Sequence, residues 1–156
     1  MSKIYCIDTC SLVEARKIHY PPSVPVFKNL WDQFEESIKN GNIISSELVY
    51  KELEVQADEV FSWAKNQRDM FIKVDESIAK EAKEIIQNFE KLIDPSADRE
   101  QADPYLIALA KLKKATVVTQ EKFTHSEKKL KIPNVCQALD VQYMRINEMI
   151  VDIGWN

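Results

Sequence analysis

Two periods alternate along this chain, and each change of period marks a boundary between elements. Lys3–Ile7 is a short run of branched and aromatic residues and predicts a strand. Asp8-Thr9-Cys10-Ser11 breaks that run and offers cap residues for a first helix through about Lys17. After the Tyr20-Pro21-Pro22-Ser23 loop, Pro25 suits a first helical turn, and Val26, Phe27, Leu30, Trp31, Phe34 and Ile38 recur at helical spacing. Gly41 stands where a helix would end in a left-handed residue. Asn42–Ser45 predicts a second strand, and Ser46 caps a helix carrying Leu48, Val49, Glu52, Leu53 and Val55. Asp58–Arg68 reads as a helix, Phe71–Val74 as an extended run, and Asp75 as the cap of a long helix from Ser77 to Leu92. Pro104 is expected to open a helix to about Lys114, followed by a buried strand at Thr116–Thr119. Lys131-Ile132-Pro133-Asn134 is expected to turn into a short strand at Val135-Cys136, and a last helix to run from about Gln142 to Ile153.

Strands separated by helices are the pattern of a doubly wound α/β domain. Helices outweigh strands, so the sheet should hold four or five strands. Residues 1–156 are expected to form a single domain, a length sufficient to bury a core without staples. No stretch approaches a membrane span, and the first residues enter a strand pattern with no secretory signal. The three cysteines, Cys6, Cys10 and Cys136, lack zinc spacing and fit free thiols in a reducing cytoplasm.

The formal net charge of −4 weighs against tight, metal-free, nonspecific nucleic-acid binding. It does not exclude a nuclease whose metal offsets carboxylate repulsion. The charge is uneven: Lys111, Lys113, Lys114, Lys122, Lys128, Lys129 and Lys131 crowd one stretch, against an acidic segment from Glu47 to Glu59. A solvated face explains the lysine run as readily as a binding surface does.

Asp8, Glu52, Asp103 and Glu121 each fall where a strand hands over to a helix or within a helix's first turns. In a parallel sheet the carboxyl ends of the strands share one edge, where ligands bind. Hard oxygen ligands gathered there suit Mg²⁺ or Mn²⁺. Each acid also has an ordinary explanation. Asp8 is a natural helix cap or turn residue beside Thr9 and Ser11, and Asp103 before Pro104 is a natural N-cap. Glu52 fits a glutamate snorkelling at the edge of an apolar stripe, and Glu121 a loop acid. The set is more informative than its members. Other chemistries lack their motifs: there is no Gly-rich phosphate loop, no Gly-x-Ser-x-Gly, and no Cys/His frame around His19 or His125. An aspartyl-phosphate phosphatase would want an acid two residues after Asp8, where Cys10 stands.

Taken in order, Ile7-Asp8-Thr9-Cys10-Ser11-Leu12, the run from Ile44 through Glu52-Leu53, Ala102-Asp103-Pro104-Tyr105 and Val117-Val118-Thr119-Gln120-Glu121 resemble a PIN domain over nearly the whole chain. The Tyr20-Pro21-Pro22 loop, the Trp31 helix and Lys131–Cys136 further resemble a bacterial PIN-like branch carried as a domain of unknown function (DUF4411-like), similar to VapC-type toxins. The resemblance implies a three-layer α/β/α fold with a small, mainly parallel sheet. It also implies a Mg²⁺- or Mn²⁺-dependent ribonuclease, often a toxin neutralised by a cognate antitoxin, giving 5′-phosphate and 3′-hydroxyl products. Asp8, Glu52 and Asp103 match the family's three most regular acids. Glu121 stands at a fourth position that is commonly Asp, and Cys10 where many members carry Asn or Ser.

On this reading Asp8 and Asp103 are the primary metal ligands, Glu52 and Glu121 complete the catalytic set, and Thr9, Ser11 and Thr119 support the carboxylates. Lys51, Lys122 and the lysine run from Lys111 to Lys131 are candidates to hold the RNA backbone. The Phe27, Trp31 and Phe34 stripe is expected in the core, with a homodimer or antitoxin groove as its alternative. The rivals are a structure-specific DNA nuclease on the same site, an RNA-processing enzyme of the same fold, and a non-catalytic binding module.

Overall fold

The computed structural model describes residues 3–97 and 100–155. Five strands form one sheet: β1 (Tyr5–Ile7), β2 (Ile43–Ser46), β3 (Phe71–Ile72), β4 (Thr116–Val118) and β5 (Tyr143–Met144). Their order across the sheet is β3-β2-β1-β4-β5, and every pair is parallel. The chain therefore builds outward from β1 through β2 to β3, then crosses back to lay β4 on the other side of β1. That reversal makes the gap between β1 and β4 the topological switch point of the sheet. Right-handed crossovers on the two sides of the switch put their helices on opposite faces.

Eight α-helices accompany the strands among the described residues: α1 (Thr9–Glu14), α2 (Lys28–Lys39), α3 (Glu47–Gln56), α4 (Glu59–Lys65), α5 (Glu76–Asn88), α6 (Ala102–Lys113), α7 (Ile132–Ala138) and α8 (Ile146–Ile153). Tyr5, Cys6 and Ile7 are all buried, as a central parallel strand covered on both faces requires. Helix α6 is buried almost all round, with Leu106 through Ala110 inaccessible, so it shows no amphipathic stripe. Its place against β1, β2 and β4, with α5 packed over it, explains that composition.

The cap signals are realised locally. Ser46 accepts a hydrogen bond from the Leu48 amide and Asp75 from Ile78, while Asp58, expected inside its helix, caps it by accepting from Val60. Gly41 follows α2 at φ +80°, the left-handed conformation that a side chain would resist. The first helix is shorter than its pattern suggests, and the chain continues in a π-helical turn over Ala15–His19. Arg16 in that turn is buried, stacks between Trp31 and Trp63 at 4.5 and 4.7 Å, and pairs with Glu59. Trp31 and Phe34 belong to the core, while Phe27 packs partly buried against it.

Three sequence expectations need correction. Val135-Cys136 lies in helix α7: Pro133 occupies the first turn, where no amide is needed, and Ile132, Val135 and Cys136 share a buried face at helical spacing. The fifth strand is instead Tyr143–Met144, inside the region expected to be helical, and α8 starts only at Ile146. Helix α6 starts at Ala102, with Gln101 as its N-cap, so Asp103 sits in the first turn.

Candidate metal centre

The carboxyl ends of β1 and β4 hold the first two pieces of the site. Asp8 directly follows β1, and its amide donates to the Val118 carbonyl at 3.0 Å. Thr119 directly follows β4, and its amide donates to the Met144 carbonyl at 3.0 Å. These bonds continue the ladder past both strand ends and fix Asp8 beside Thr119. The Asp8 side chain is 3% exposed, accepts from the Ser11 amide at 2.8 Å as the cap of α1, and also receives the Thr119 hydroxyl. Ser11, itself buried, sends its hydroxyl to the Val118 carbonyl at 3.2 Å.

Glu52 comes from the middle of α3 and joins two neighbours. One oxygen accepts from the Thr9 hydroxyl at 2.6 Å, and the other from the Ala102 amide at 3.2 Å. Gln101 makes no side-chain cap bond, so this glutamate supplies an acceptor for the start of α6 from a different helix. Negative charge is favoured at that end of a helix. Asp103 lies one residue further along α6. Glu121 follows β4 in a turn in which its amide donates to the Thr119 hydroxyl at 3.1 Å, and its carboxylate accepts from the Ile132 amide at 2.9 Å, at the start of α7.

Electrostatics tie the four acids together. Asp103 is held up at about 7, by desolvation first and then by the charges of Glu121, Asp8 and Glu52, with Lys129 opposing. Asp8 is held up at about 6, chiefly by burial, with the Glu121 charge adding and the Thr119 and Ser11 hydrogen bonds opposing. Cys10 stands exposed at the mouth, its thiol donating to Glu14 at 2.7 Å and pushed up to about 12 by partial burial, Glu14 and the nearby acids. Carboxylates that raise one another's proton affinity are the environment a divalent cation relieves. Oxygen-only donors suit Mg²⁺ or Mn²⁺. Among the described residues, however, no three His, Cys, Asp or Glu side chains converge as a ready-made cage. Glu52 and Glu121 face protein donors. The donor chemistry therefore fits such an ion, while the arrangement assembles Asp8 and Asp103 with two acids held close by.

The supporting residues fall at the same edge: Thr9 on Glu52, and Ser11 and Thr119 on Asp8. Lys51 and Lys122 are exposed next to Glu52 and Glu121 in sequence, with Lys51 3.7 Å from Glu47. The lysine run divides. Lys111 and Lys113 lie at the far end of α6, roughly 12–15 Å along the axis from Asp103 at about 1.5 Å per residue, and Lys111 pairs with Glu81. Lys129 instead lies where its charge reaches Asp103. Sequence reasoning did not separate Lys129 from its neighbours, since nothing in a lysine-rich loop says which side chain comes within reach of the acids. It also passed over Asn134. That side chain accepts from the Thr124 and Lys131 amides, each at 3.2 Å, and donates to the Thr124 carbonyl at 2.8 Å, shaping the segment that carries Glu121 and Lys129.

A five-stranded parallel sheet in this order, with acids at its switch point, defines a PIN-like α/β fold. The chain belongs to the family described as Domain of unknown function (DUF4411), whose profile matches residues 5–156. Solved structures support the fold. VapBC2 from Rickettsia felis, bound to a DNA fragment from its promoter, is 16% identical with a TM-score of 0.52, covering 91% of this chain and 98% of that one. FitAB bound to the IR36 DNA fragment is 16% identical with a TM-score of 0.53, covering 91% and 94%. FitAcB from Neisseria gonorrhoeae is 18% identical with a TM-score of 0.53, covering 90% and 96%. No curated protein matches the chain in sequence. Among the described residues, no helix is long and apolar enough to cross a membrane.

Proposed function

We propose that this chain is a metal-dependent endoribonuclease and the toxin of a toxin–antitoxin pair, acting in the cytoplasm as a single domain. The observation that carries the reading is electrostatic: burial and the charges of Asp8, Glu52 and Glu121 hold Asp103 at about 7, and burial with the Glu121 charge holds Asp8 at about 6. A non-catalytic module has no need to crowd acids where they oppose each other's ionisation. Structures of similar fold include VapBC2 and FitAB, each bound to DNA, and FitAcB, which favours a cognate antitoxin as partner.

Asp8 and Asp103 would hold a Mg²⁺ or Mn²⁺ ion, with Glu52 and Glu121 turning from their protein donors to complete the set. Such an ion polarises a phosphodiester and lowers the pKa of water bound to it. The chain's own residues do the rest. Ser11 and Thr119 fix the Asp8 carboxylate and keep it ionised against its burial. Thr9 orients Glu52, which would steer a water or accept its proton. Lys129, whose charge reaches Asp103, would help offset the negative charge that grows as a phosphodiester is attacked.

The test offers purified protein a single-stranded RNA and a DNA of the same sequence, with Mn²⁺ or with a chelator. Cleavage of RNA alone, and only with metal, is expected. Cleavage of both strands favours a DNA-competent nuclease, and cleavage of neither removes the enzymatic reading.

A further inference from the structure

A cleft of about 690 Å³ opens between the turn at Glu90–Leu92 and the segment that follows Glu121. Lys91, Lys128 and Lys129 line it, together with the apolar surfaces of Ile93 and Pro95. Two bonds lash its walls together: the Leu130 amide donates to the Lys91 carbonyl at 3.0 Å, and the Lys129 ammonium to the Leu92 carbonyl at 2.8 Å. A third connection ties the cleft to the acids. The Gln101 side chain exchanges two hydrogen bonds with the Asp94 main chain, at 3.0 and 2.8 Å, and Gln101 is the N-cap of α6, two residues before Asp103. Glu90 and Asp94 also border the opening, but the Asp94 carboxylate is engaged by Ser96 at 2.6 Å.

We propose that this cleft receives the single-stranded RNA leading to the acid site, with phosphates on Lys91, Lys128 and Lys129 and a base against Ile93 and Pro95. The proposal rests on the ribonuclease reading and names its substrate channel. The occupant follows from charge and proximity. The protein carries net negative charge, yet three lysines gather on one opening, and Lys129 among them is near enough for its charge to act on Asp103. Phosphates along a flexible strand can meet lysines on both walls, and the apolar surfaces of Ile93 and Pro95 suit an unstacked base. A single strand rather than a duplex is the occupant because only an unstacked base can lie against Ile93 and Pro95.

The experiment uses the full chain carrying Asp8→Asn, so that bound RNA is not cut, and a fluorescent 12-nucleotide uridine RNA read by anisotropy across a salt series. Lys91→Gln with Lys128→Gln changes two exposed residues and leaves the lashing bonds in place. This pair should weaken binding about tenfold at low salt and flatten the logarithmic salt dependence by about 1.4, at about 0.7 per lost phosphate contact. Lys129→Gln should weaken it too, and Lys129→Arg should restore it. Lys113→Gln, at the far end of α6, should change nothing. Unchanged affinity and slope in the paired variant, or an equal loss from Lys113→Gln or for duplex RNA, overturns the channel. If wild type cleaves RNA while the cleft variants bind it as before, the channel falls and the ribonuclease reading stands. A wild type that neither binds nor cleaves RNA overturns both.

Discussion

Replacing Asp103 by Asn should stabilise the metal-free protein at alkaline pH and leave it almost unchanged at pH 4. The Asp103 carboxyl is held at about 7 against an ordinary 3.8. The folded protein therefore holds this proton more tightly than the unfolded chain does. Between about pH 4 and pH 7 the folded state carries the extra proton, so stability falls as pH rises through that window and the full penalty stands above it. About three tenfold steps in proton affinity correspond to an upper limit of about 4 kcal/mol. The amide of Asn must also be buried, and Asp8 keeps its own raised value, so the net gain should be about 1–3 kcal/mol at pH 8. For a chain of this length that is about 3–10 °C in Tm. Other carboxylates act in the opposite direction: Asp58 and Asp152 are held low, by Lys17 and by Tyr5 and Lys3, and lose their contribution as pH falls. The quantity to measure is thus the difference between variant and wild type, from urea unfolding in EDTA at pH 4 and pH 8. Equal destabilisation at both pH values would make Asp103 an ordinary first-turn residue and refute the electrostatic account of the site.

Thr9→Val removes the hydroxyl that orients Glu52, and should lower Mn²⁺-dependent RNA cleavage about 10–100-fold while barely moving Tm; full activity would show that Glu52 needs no such support. Among the acids, Asp8→Asn should abolish cleavage, Glu52→Gln should reduce it and Glu121→Gln should have the mildest effect, with any other ranking in a gel assay reassigning the roles. Arg16→Ala takes a guanidinium from between two indoles and leaves Glu59 without its partner, so urea melts should show a loss of about 2–4 kcal/mol; a loss below about 1 would mark the stack as incidental. Expression of wild type should slow bacterial growth and Asp8→Asn should not, with a small protein encoded next door restoring growth; high-level expression without a growth defect would turn the reading from toxin to RNA-processing enzyme.

The parts of the fold legible in the sequence are those where a strong local signal agrees with its tertiary setting. Asp75 and Ser46 cap the helices their positions announce, and Ile7-Asp8 marks the end of the central strand. The misread parts lie where tertiary pairing decides. Tyr143–Met144 is two residues long and becomes a strand only because β4 lies beside it, with Val117 opposite Tyr143. Val135-Cys136 carries strand-like residues, yet Pro133 starts a helical turn there. For the site, residue type and order brought four acids to one edge. They could not show that Glu52 accepts from the first amide of α6 from another helix, or that the Lys129 charge reaches Asp103. Those are facts of three-dimensional approach between segments distant in sequence.

The central claim is that these carboxylates form a divalent-cation site, and a calorimetric Mn²⁺ titration tests it most directly. Wild type should bind Mn²⁺ saturably and gain Tm as metal is added, since a ligand of the folded state stabilises it. Asp8→Asn should lose both effects. Equal binding and an equal Tm gain in wild type and Asp8→Asn would contradict the account.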